Sequence, residues 1–327
     1  MNKAKNINRR FCVAPMLDCT DRHERYLLRL ISKHSVMYTE MITTGALIYG
    51  DTARFLDFDK AEHPVALQLG GSDPDDMTRS AELVQQWGYD EVNINVGCPS
   101  DRVQSGSFGA CLMRTPDLVA QNIKQMKAAV DIPVTVKCRI GVDDQDPEQA
   151  LWSLVDASAN AGCEVFVVHA RKAWLKGLSP KENRDVPPLD YELVYKLKQA
   201  FPELEIIING GIETIEQCQE HLAHVDGVMV GREAYSNPYM MAPVDQVIYG
   251  DQAKPRSRDD VMRAYMDYID MRLKEDGARL NQMSRHVVGL FHGEPKSRLW
   301  RRHISQNAHL PGSGREVLED AYLAMIS

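Results

Sequence analysis

Asn93-Ile94-Asn95-Val96-Gly97-Cys98-Pro99-Ser100 reads as the end of a β-strand breaking into a loop. Pro99 has no N–H for a ladder and Gly97 tolerates unusual dihedrals, so the strand stops there and leaves Cys98 at its end. Small residues follow it: Ser105, Gly106, Ser107, Gly109 and Ala110. Two readings of Cys98 stand at this point. It is a buried structural thiol, the usual fate of a free cysteine, or a proton donor in a site at the strand's end.

The same unit recurs along the chain. Apolar or β-branched runs occupy Phe11–Met16, Val36–Met41, Val65–Leu69, Glu91–Val96, Val134–Ile140, Glu164–His169, Glu205–Ile208 and Gly227–Val230. Amphipathic helical patterns separate several of them. Asp73-Pro74, Thr115-Pro116 and Asp146-Pro147 each place a capping residue before a first-turn proline and an apolar stripe. Strands alternating with helices predict an α/β fold, a closed (β/α)8 TIM barrel. The alternative, an open doubly wound sheet, lacks a G-x-G-x-x-G after any strand; Gly106-Ser107-Phe108-Gly109 is a partial match out in a loop.

The strand pattern stops near Pro243. Val261, Met262, Tyr265, Ile269 and Leu273 share one helix face, and helical patterns follow at Asn281–Leu290 and Glu316–Ile326. The expected division is a catalytic barrel over 1–242 and a small all-α domain over 243–327.

The chain's 327 residues, 44% hydrophobic and 26% charged, suit a globular protein of that size. The seven cysteines contain no C-x-x-C pair, and no histidines or cysteines have ligand spacing, so neither a metal site nor a redox dithiol is expected. Free thiols fit a reducing compartment. After Arg9-Arg10 the apolar stretch Phe11–Leu17 is short and broken by Pro15, unlike a signal peptide, and no run reaches membrane-spanning length. A cytoplasmic protein without a membrane or an obligate protein partner is expected. A net charge of −8 argues against a general nucleic-acid binder, but two basic islands interrupt it. Arg171–Arg184 holds five cations against Glu182 alone, and Arg279–His303 six against Glu294 alone. Such islands are solvated surface charge or local polyanion sites. Trp174 and Trp300 lie among them, as core residues or as partners for a base.

In a barrel of this kind the strand ends build the site. They carry Pro15-Met16-Leu17, Gln68, Asn93, Asn95 and Cys98, Lys137 and Arg139, His169 and Arg171, Asn209-Gly210-Gly211, and Gly231-Arg232. The glycine clusters after the seventh and eighth strands suit a phosphate. Lys137 and Arg139 share a strand face and are either paired or directed at a polar centre. A phosphate pocket, an inward lysine and a strand-end glutamine suit flavin mononucleotide, with Lys137 near the N1/O2 edge of a reduced flavin and hydride leaving from N5. No G-x-S-x-G supports a serine hydrolase.

The motifs APMLDCTDRHER, LQLGGSDP, VNINVGCPSDRVQSGSFGACLM, VKCRIGVDD, VVHARKAWLKGLSPKENRDVPPLDY, NGGI, MVGREAY and FHGEPKSRLWRRHISQNAH span nearly the whole chain. Together they resemble the bacterial tRNA-dihydrouridine synthase family, and HARKAWLKGLSPKENR its A subgroup. The resemblance implies an FMN flavoprotein oxidoreductase that uses NADPH, with NADH as a second reductant, to reduce uridine to 5,6-dihydrouridine in the tRNA D-loop at positions 20 and 20a. It implies that the barrel holds FMN and the helical domain grips tRNA. By motif, Pro15, Met16, Leu17, Gln68, Lys137, His169, Asn209, Gly210, Gly211, Gly231 and Arg232 would contact FMN. Cys98 would protonate uridine C5 as hydride reaches C6. Asn95 and Arg139 would meet the target nucleotide, and Lys181, Arg184, Arg298 and Arg301 the tRNA. The chain departs from the subgroup at Cys19, where Trp is common, and at Glu24, where Cys is expected; both are expected to change packing in the first loop. The competing readings are an FMN barrel oxidoreductase acting on a free pyrimidine and a tRNA-binding protein with a structural flavin.

Overall fold

The computed structural model describes residues 7–100, 106–275 and 277–326. Ser105 and the N-terminal Lys3 and Lys5 lie outside these. The described chain divides into a barrel unit, Met1–Leu17 with Ser35–Gly231, and a helical unit, Asp18–His34 with Arg232–Ser327.

Eight parallel strands close the barrel in chain order: β1 Phe11–Val13, β2 Val36–Thr43, β3 Val65–Gly70, β4 Glu91–Val96, β5 Val134–Arg139, β6 Val165–His169, β7 Glu205–Asn209 and β8 Gly227–Val230. β1 pairs with β8 through Phe11↔Val228, Cys12↔Met229 and Val13↔Val230, so no open sheet edge remains. The expected (β/α)8 barrel is the observed fold.

Side chains on a strand alternate faces, so every second residue looks into the barrel. From β1, β2, β6, β7 and β8 these include Cys12, Ala14, Val36, Tyr38, Val165, Val167, Ile207 and Met229, which pack as one buried cluster with Ala66 of β3. The β3–β5 sector is polar instead: Gln68, Glu91, Asn93, Asn95 and Thr135 are all buried. Half the interior is thus apolar core and half a column of hydrogen-bonding groups.

The helices between strands begin as the sequence predicts at Pro74–Gln86 and Pro147–Asn160, where Asp73 and Asp146 accept backbone N–H bonds. At Pro116–Ala129 the start is right but Thr115 makes no side-chain cap bond. Its backbone, at φ −132° and ψ 63°, lies outside the usual extended cap conformation.

The helical unit differs from the expected 243–327 domain in its start and in taking a second stretch of chain. It begins at Arg232 and also includes Asp18–His34, whose helix Arg22–Ile31 buries Leu27, Leu28 and Ile31. The chain therefore leaves the barrel unit after β1 and returns to it at β2. Helix Arg258–Glu275 contributes Val261, Met262, Tyr265 and Ile269 to the helical core. Leu280–Val287, Ser297–Asn307 and Glu316–Ile326 complete it. Among the described residues no helix is long and apolar enough to cross a membrane.

Candidate active site

Cys98 follows β4 and is half-buried. Its loop is tied down on three sides. Asn95 Oδ1 accepts from the backbone N–H of Gly97 at 3.0 Å and of Cys98 at 2.9 Å. The Cys98 carbonyl accepts from Ala110 N at 2.9 Å, and the Gly97 carbonyl from Arg139 Nε at 3.1 Å. The thiol lies 3.4 Å from Ser100 Oγ. A side chain that accepts from N–H groups two and three residues on forms a local turn, which is why Asn at position 95 and Gly at 97 suit this strand end.

Below that turn the polar column is continuous. Asn95 Nδ2 donates to Gln68 Oε1, Gln68 Nε2 to Asn93 Oδ1 and Asn93 Nδ2 to Thr135 Oγ1, each at 2.8 Å. Thr135 Oγ1 donates to Glu91 Oε1 at 2.6 Å, Tyr38 OH to the same oxygen at 2.7 Å and Arg9 Nε to Glu91 Oε2 at 2.7 Å. Arg9 Nη1 reaches Glu205 at 3.0 Å. Burial alone would lower the Arg9 guanidinium, but Glu91 and Glu205 hold it above its ordinary value. The sequence reading picked out Gln68, Asn93 and Asn95 and missed Arg9, Tyr38, Glu91 and Thr135. The overlooked clue is that Glu91 shares the inward parity of Asn93 and Asn95.

Beside this column stand the cations. Lys137 Nζ donates to Asn209 Oδ1 at 2.9 Å. Burial, with Arg139 second, pulls Lys137 down to about 8. His169, opposite Asn209 in the β6–β7 ladder, is pushed well below its ordinary value by burial and then by Arg139, Lys137, Arg171 and Arg184. The charged groups acting on His169 are thus all cations, which marks the C-terminal ends of β5 and β6 as a place for an anionic ligand. That charge balance fits a phosphate-bearing flavin. Arg139 itself is buried and committed: besides Gly97 it donates to the carbonyls of Lys172 at 2.9 Å and Asn183 at 2.8 Å. Its geometry is that of a clamp between the Cys98 loop and the segment after β6.

Asn209, Gly210 and Gly211 end β7. Both glycines have positive φ, +117° and +70°, and a Cβ on Gly210 would stand 2.7 Å from His169 Cδ2. No other residue fits that combination. Asn209 Nδ2 donates to the Met229 carbonyl at 2.8 Å, joining β7 to β8. Gly231 follows β8 near Ala14 and Met16, so the ends of β1 and β8 meet as the sequence grouping requires. Pro15 and Met16 are half-buried and Leu17 is exposed. Arg232, exposed, opens the short helix Arg232–Ser236 and is counted with the helical unit.

Lys181 and Arg184 are exposed on the segment after β6. Buried Asn183 organises this segment, donating to the carbonyls of Trp174, Leu178 and Ser179 and accepting from Trp174 N. Arg171 donates to the Pro187 carbonyl. Trp174 is partly exposed, with Lys172 Nζ 5.7 Å from its ring centre. In the helical unit Arg298 and Arg301 are exposed on Ser297–Asn307, whereas Trp300 is fully buried and donates to the Val287 carbonyl at 3.2 Å. Trp300 is therefore a core residue.

Glu24 is fully buried in the helical unit. His286 lies between it, at 3.2 Å, and Asp21, at 3.0 Å. Cys19 also falls in this unit. Among the described residues one trio has metal-like spacing, His34, Asp245 and Asp251. Asp245 already accepts from Ser32 Oγ at 2.6 Å and Lys33 N at 2.7 Å.

The family profile described as Dihydrouridine synthase (Dus) matches residues 12–326. The "tRNA-dihydrouridine(20/20a) synthase" of Shewanella oneidensis is 56% identical over 98% of this chain and 96% of its own. The protein of the same description from Synechocystis sp. is 56% identical over 95% and 93%. That of Yersinia pestis is 55% identical over 97% and 92%. Among solved structures, a 2-naphthoyl-CoA reductase in complex with 2-naphthoyl-CoA superposes with a TM-score of 0.57 at 12% identity, covering 72% of this chain and 50% of that one. At that identity the likeness is one of fold.

Proposed function

The chain belongs to the dihydrouridine synthase family, and we propose that it is an FMN-dependent enzyme that uses NADPH, or NADH, to reduce uridine to 5,6-dihydrouridine at positions 20 and 20a of the tRNA D-loop. The observation that carries this reading is the pairing of a tethered strand-end thiol, Cys98, with a cation-rich neighbourhood at the ends of β5 and β6.

Lys137, His169, Gln68, Asn209, Gly210, Gly211 and Gly231, with Pro15, Met16, Leu17 and Arg232, are the residues assigned to FMN. The glycines offer backbone N–H groups to the phosphate and Lys137 a positive charge to the ring. FMN, when bound, supplies the hydride. Cys98 then holds the proton destined for C5 of the base, and Asn95 orients both the thiol's loop and the target nucleotide. Arg139 acts by holding the Gly97 carbonyl, and with it the loop that carries the thiol. The target uridine reaches the strand ends flipped out of its stack. Lys181 and Arg184 on the barrel unit and Arg298 and Arg301 on the helical unit take phosphates of the tRNA. The reading places the enzyme in the cytoplasm, with tRNA and its reductant, and needs neither metal nor a partner protein.

Incubating purified protein, FMN and NADPH with unmodified tRNA, followed by mass-spectrometric mapping, tests this directly. Product at positions 20 and 20a supports reaction and site together. Product elsewhere in tRNA overturns the positions. Absence of product, with NADPH consumed on a free pyrimidine, overturns the substrate.

A further inference from the structure

The barrel's polar column has a single sense from end to end. Starting at the Cys98 loop, the donors run from the backbone N–H groups to Asn95, from Asn95 to Gln68, from Gln68 to Asn93, from Asn93 to Thr135 and from Thr135 to Glu91. A primary amide has the same shape either way round, so shape alone does not choose this sense. The ends choose it. Backbone N–H groups can only donate. Glu91, ion-paired with Arg9 at 2.7 Å, can only accept. Reversing the relay would strand donors at Gly97 and Cys98 and face an amide or hydroxyl oxygen against a carboxylate, both costly where water is excluded.

This sense decides what the upper two amides offer a ligand. The Asn95 oxygen accepts two bonds and is fully used, which leaves that side chain one uncommitted N–H. Gln68 likewise keeps one uncommitted N–H. We infer that Glu91 is a positioning residue for the reaction. Through Thr135 and Asn93 it backs, from the lower end, the orientation that the Gly97 and Cys98 N–H groups set from the upper end, and so helps hold Gln68 and Asn95 as N–H donors that meet carbonyl oxygens of the bound rings. Flavin and uracil both carry such oxygens, whereas the 4-amino group of cytosine would meet a donor with a donor. The inference rests on the flavin reading given above.

Two hydroxyls on the same carboxylate oxygen supply the test. Tyr38 OH and Thr135 Oγ1 both donate to Glu91 Oε1, but only Thr135 connects onward to Asn93. FMN dissociation constants and visible flavin spectra are measured for the reconstituted apoprotein and its variants. Thr135→Val removes the lower of the two anchors and leaves the Asn93 N–H without its acceptor, which loosens Asn93 and the Gln68 amide bonded to it; FMN binding should weaken at least about fivefold, the value of one hydrogen bond, with a shift of the flavin bands. Glu91→Gln should do the same, and Thr135→Ser should restore the wild-type value. Tyr38→Phe should change the affinity less than about twofold and leave the bands in place. Equal effects of Thr135→Val and Tyr38→Phe would overturn the relay. If Glu91→Gln does not fold, the Thr135–Tyr38 pair still decides. A wild-type protein that does not bind FMN overturns the flavin reading and this inference with it. That outcome is distinct from relay failure, in which the wild type binds and the two variants match.

Discussion

Glu91 in the barrel unit and Glu24 in the helical unit are both carboxylates with no exposed surface. Glu91 accepts three aimed donors, from Arg9, Tyr38 and Thr135, all within 2.7 Å. Glu24 faces one charged partner, His286, whose Nδ1 stands 3.2 Å from Oε2. Burial accordingly pushes Glu24 up to about 7 even with His286 beside it. Three aimed donors anchor one buried carboxylate, whereas a single imidazole leaves the other raised by its burial. The barrel uses the first device beneath its candidate site. The helical unit, where the chain departs from its subgroup, has the second.

The comparison breaks most sharply at the top of the barrel column. Cys98→Ala removes the thiol without touching the column, so dihydrouridine formation should fall about 10²–10⁴-fold while FMN content and melting temperature stay at wild-type values. Undiminished product would remove Cys98 as the acid. At the other end of the column Arg9→Met leaves buried Glu91 and half-buried Glu205 without their cation. The barrel should lose about 3–5 kcal/mol in urea unfolding. A loss below about 1 kcal/mol would show that Arg9 holds no buried charge in place.

The helical unit should respond to pH through His286. Burial works against the His286 imidazolium, but Asp21 and Glu24 outweigh it and raise the group from 6.5 to about 9. Its stabilisation is complete below about pH 6.5 and is lost as pH rises through about 9. Glu24, raised from 4.5 to about 7, also makes stability fall as pH rises across that interval. His23, lowered by burial from 6.5 to about 4, acts in the opposite sense over its own range. Above about pH 8 Lys137 of the barrel unit, lowered from 10.5, acts in the opposite sense, so the window to read is pH 6.5 to 8, over which stability should fall by about 1–2 kcal/mol. His286→Gln should flatten that slope; an unchanged slope would rule out His286 as its source. The smallest effect belongs to the surface. Arg298→Ala or Arg301→Ala should weaken tRNA binding and lower the salt slope by about 0.7–0.9, with FMN affinity unchanged.

The strands were legible because a parallel barrel buries both strand faces, and apolar runs such as Gly227–Val230 coincide with the observed elements, as does the alternating Glu91–Val96. The site was legible where a residue type is unusual for its place, as with Cys98 after Gly97 or Lys137 on an apolar strand. It was not legible where an ordinary residue acts through others. Glu91 opens a strand and looks like any polar edge residue until Thr135, forty-odd positions away, is brought against it. Arg139 shows the same limit: a cation at a strand end suggests a ligand contact, but the three carbonyls that Nε and Nη1 also reach are brought together only by the folded loops. The placing of Asp18–His34 was hidden for a similar reason. An amphipathic helix shows that it has an apolar face but not which unit covers it.

The division of the helical unit into two stretches of chain bears on how the protein is made. Helix Arg22–Ile31 leaves the ribosome early, but Leu280–Val287, which carries His286, follows it only after the barrel unit's residues have been synthesised. At about 5–20 residues per second, Leu27, Leu28 and Ile31 wait roughly 10–50 s for their partners. During translation the apolar face of this helix therefore stays without those partners until the barrel unit's residues have been made. Messages truncated before the final helices would yield a chain whose first helix never finds its cover.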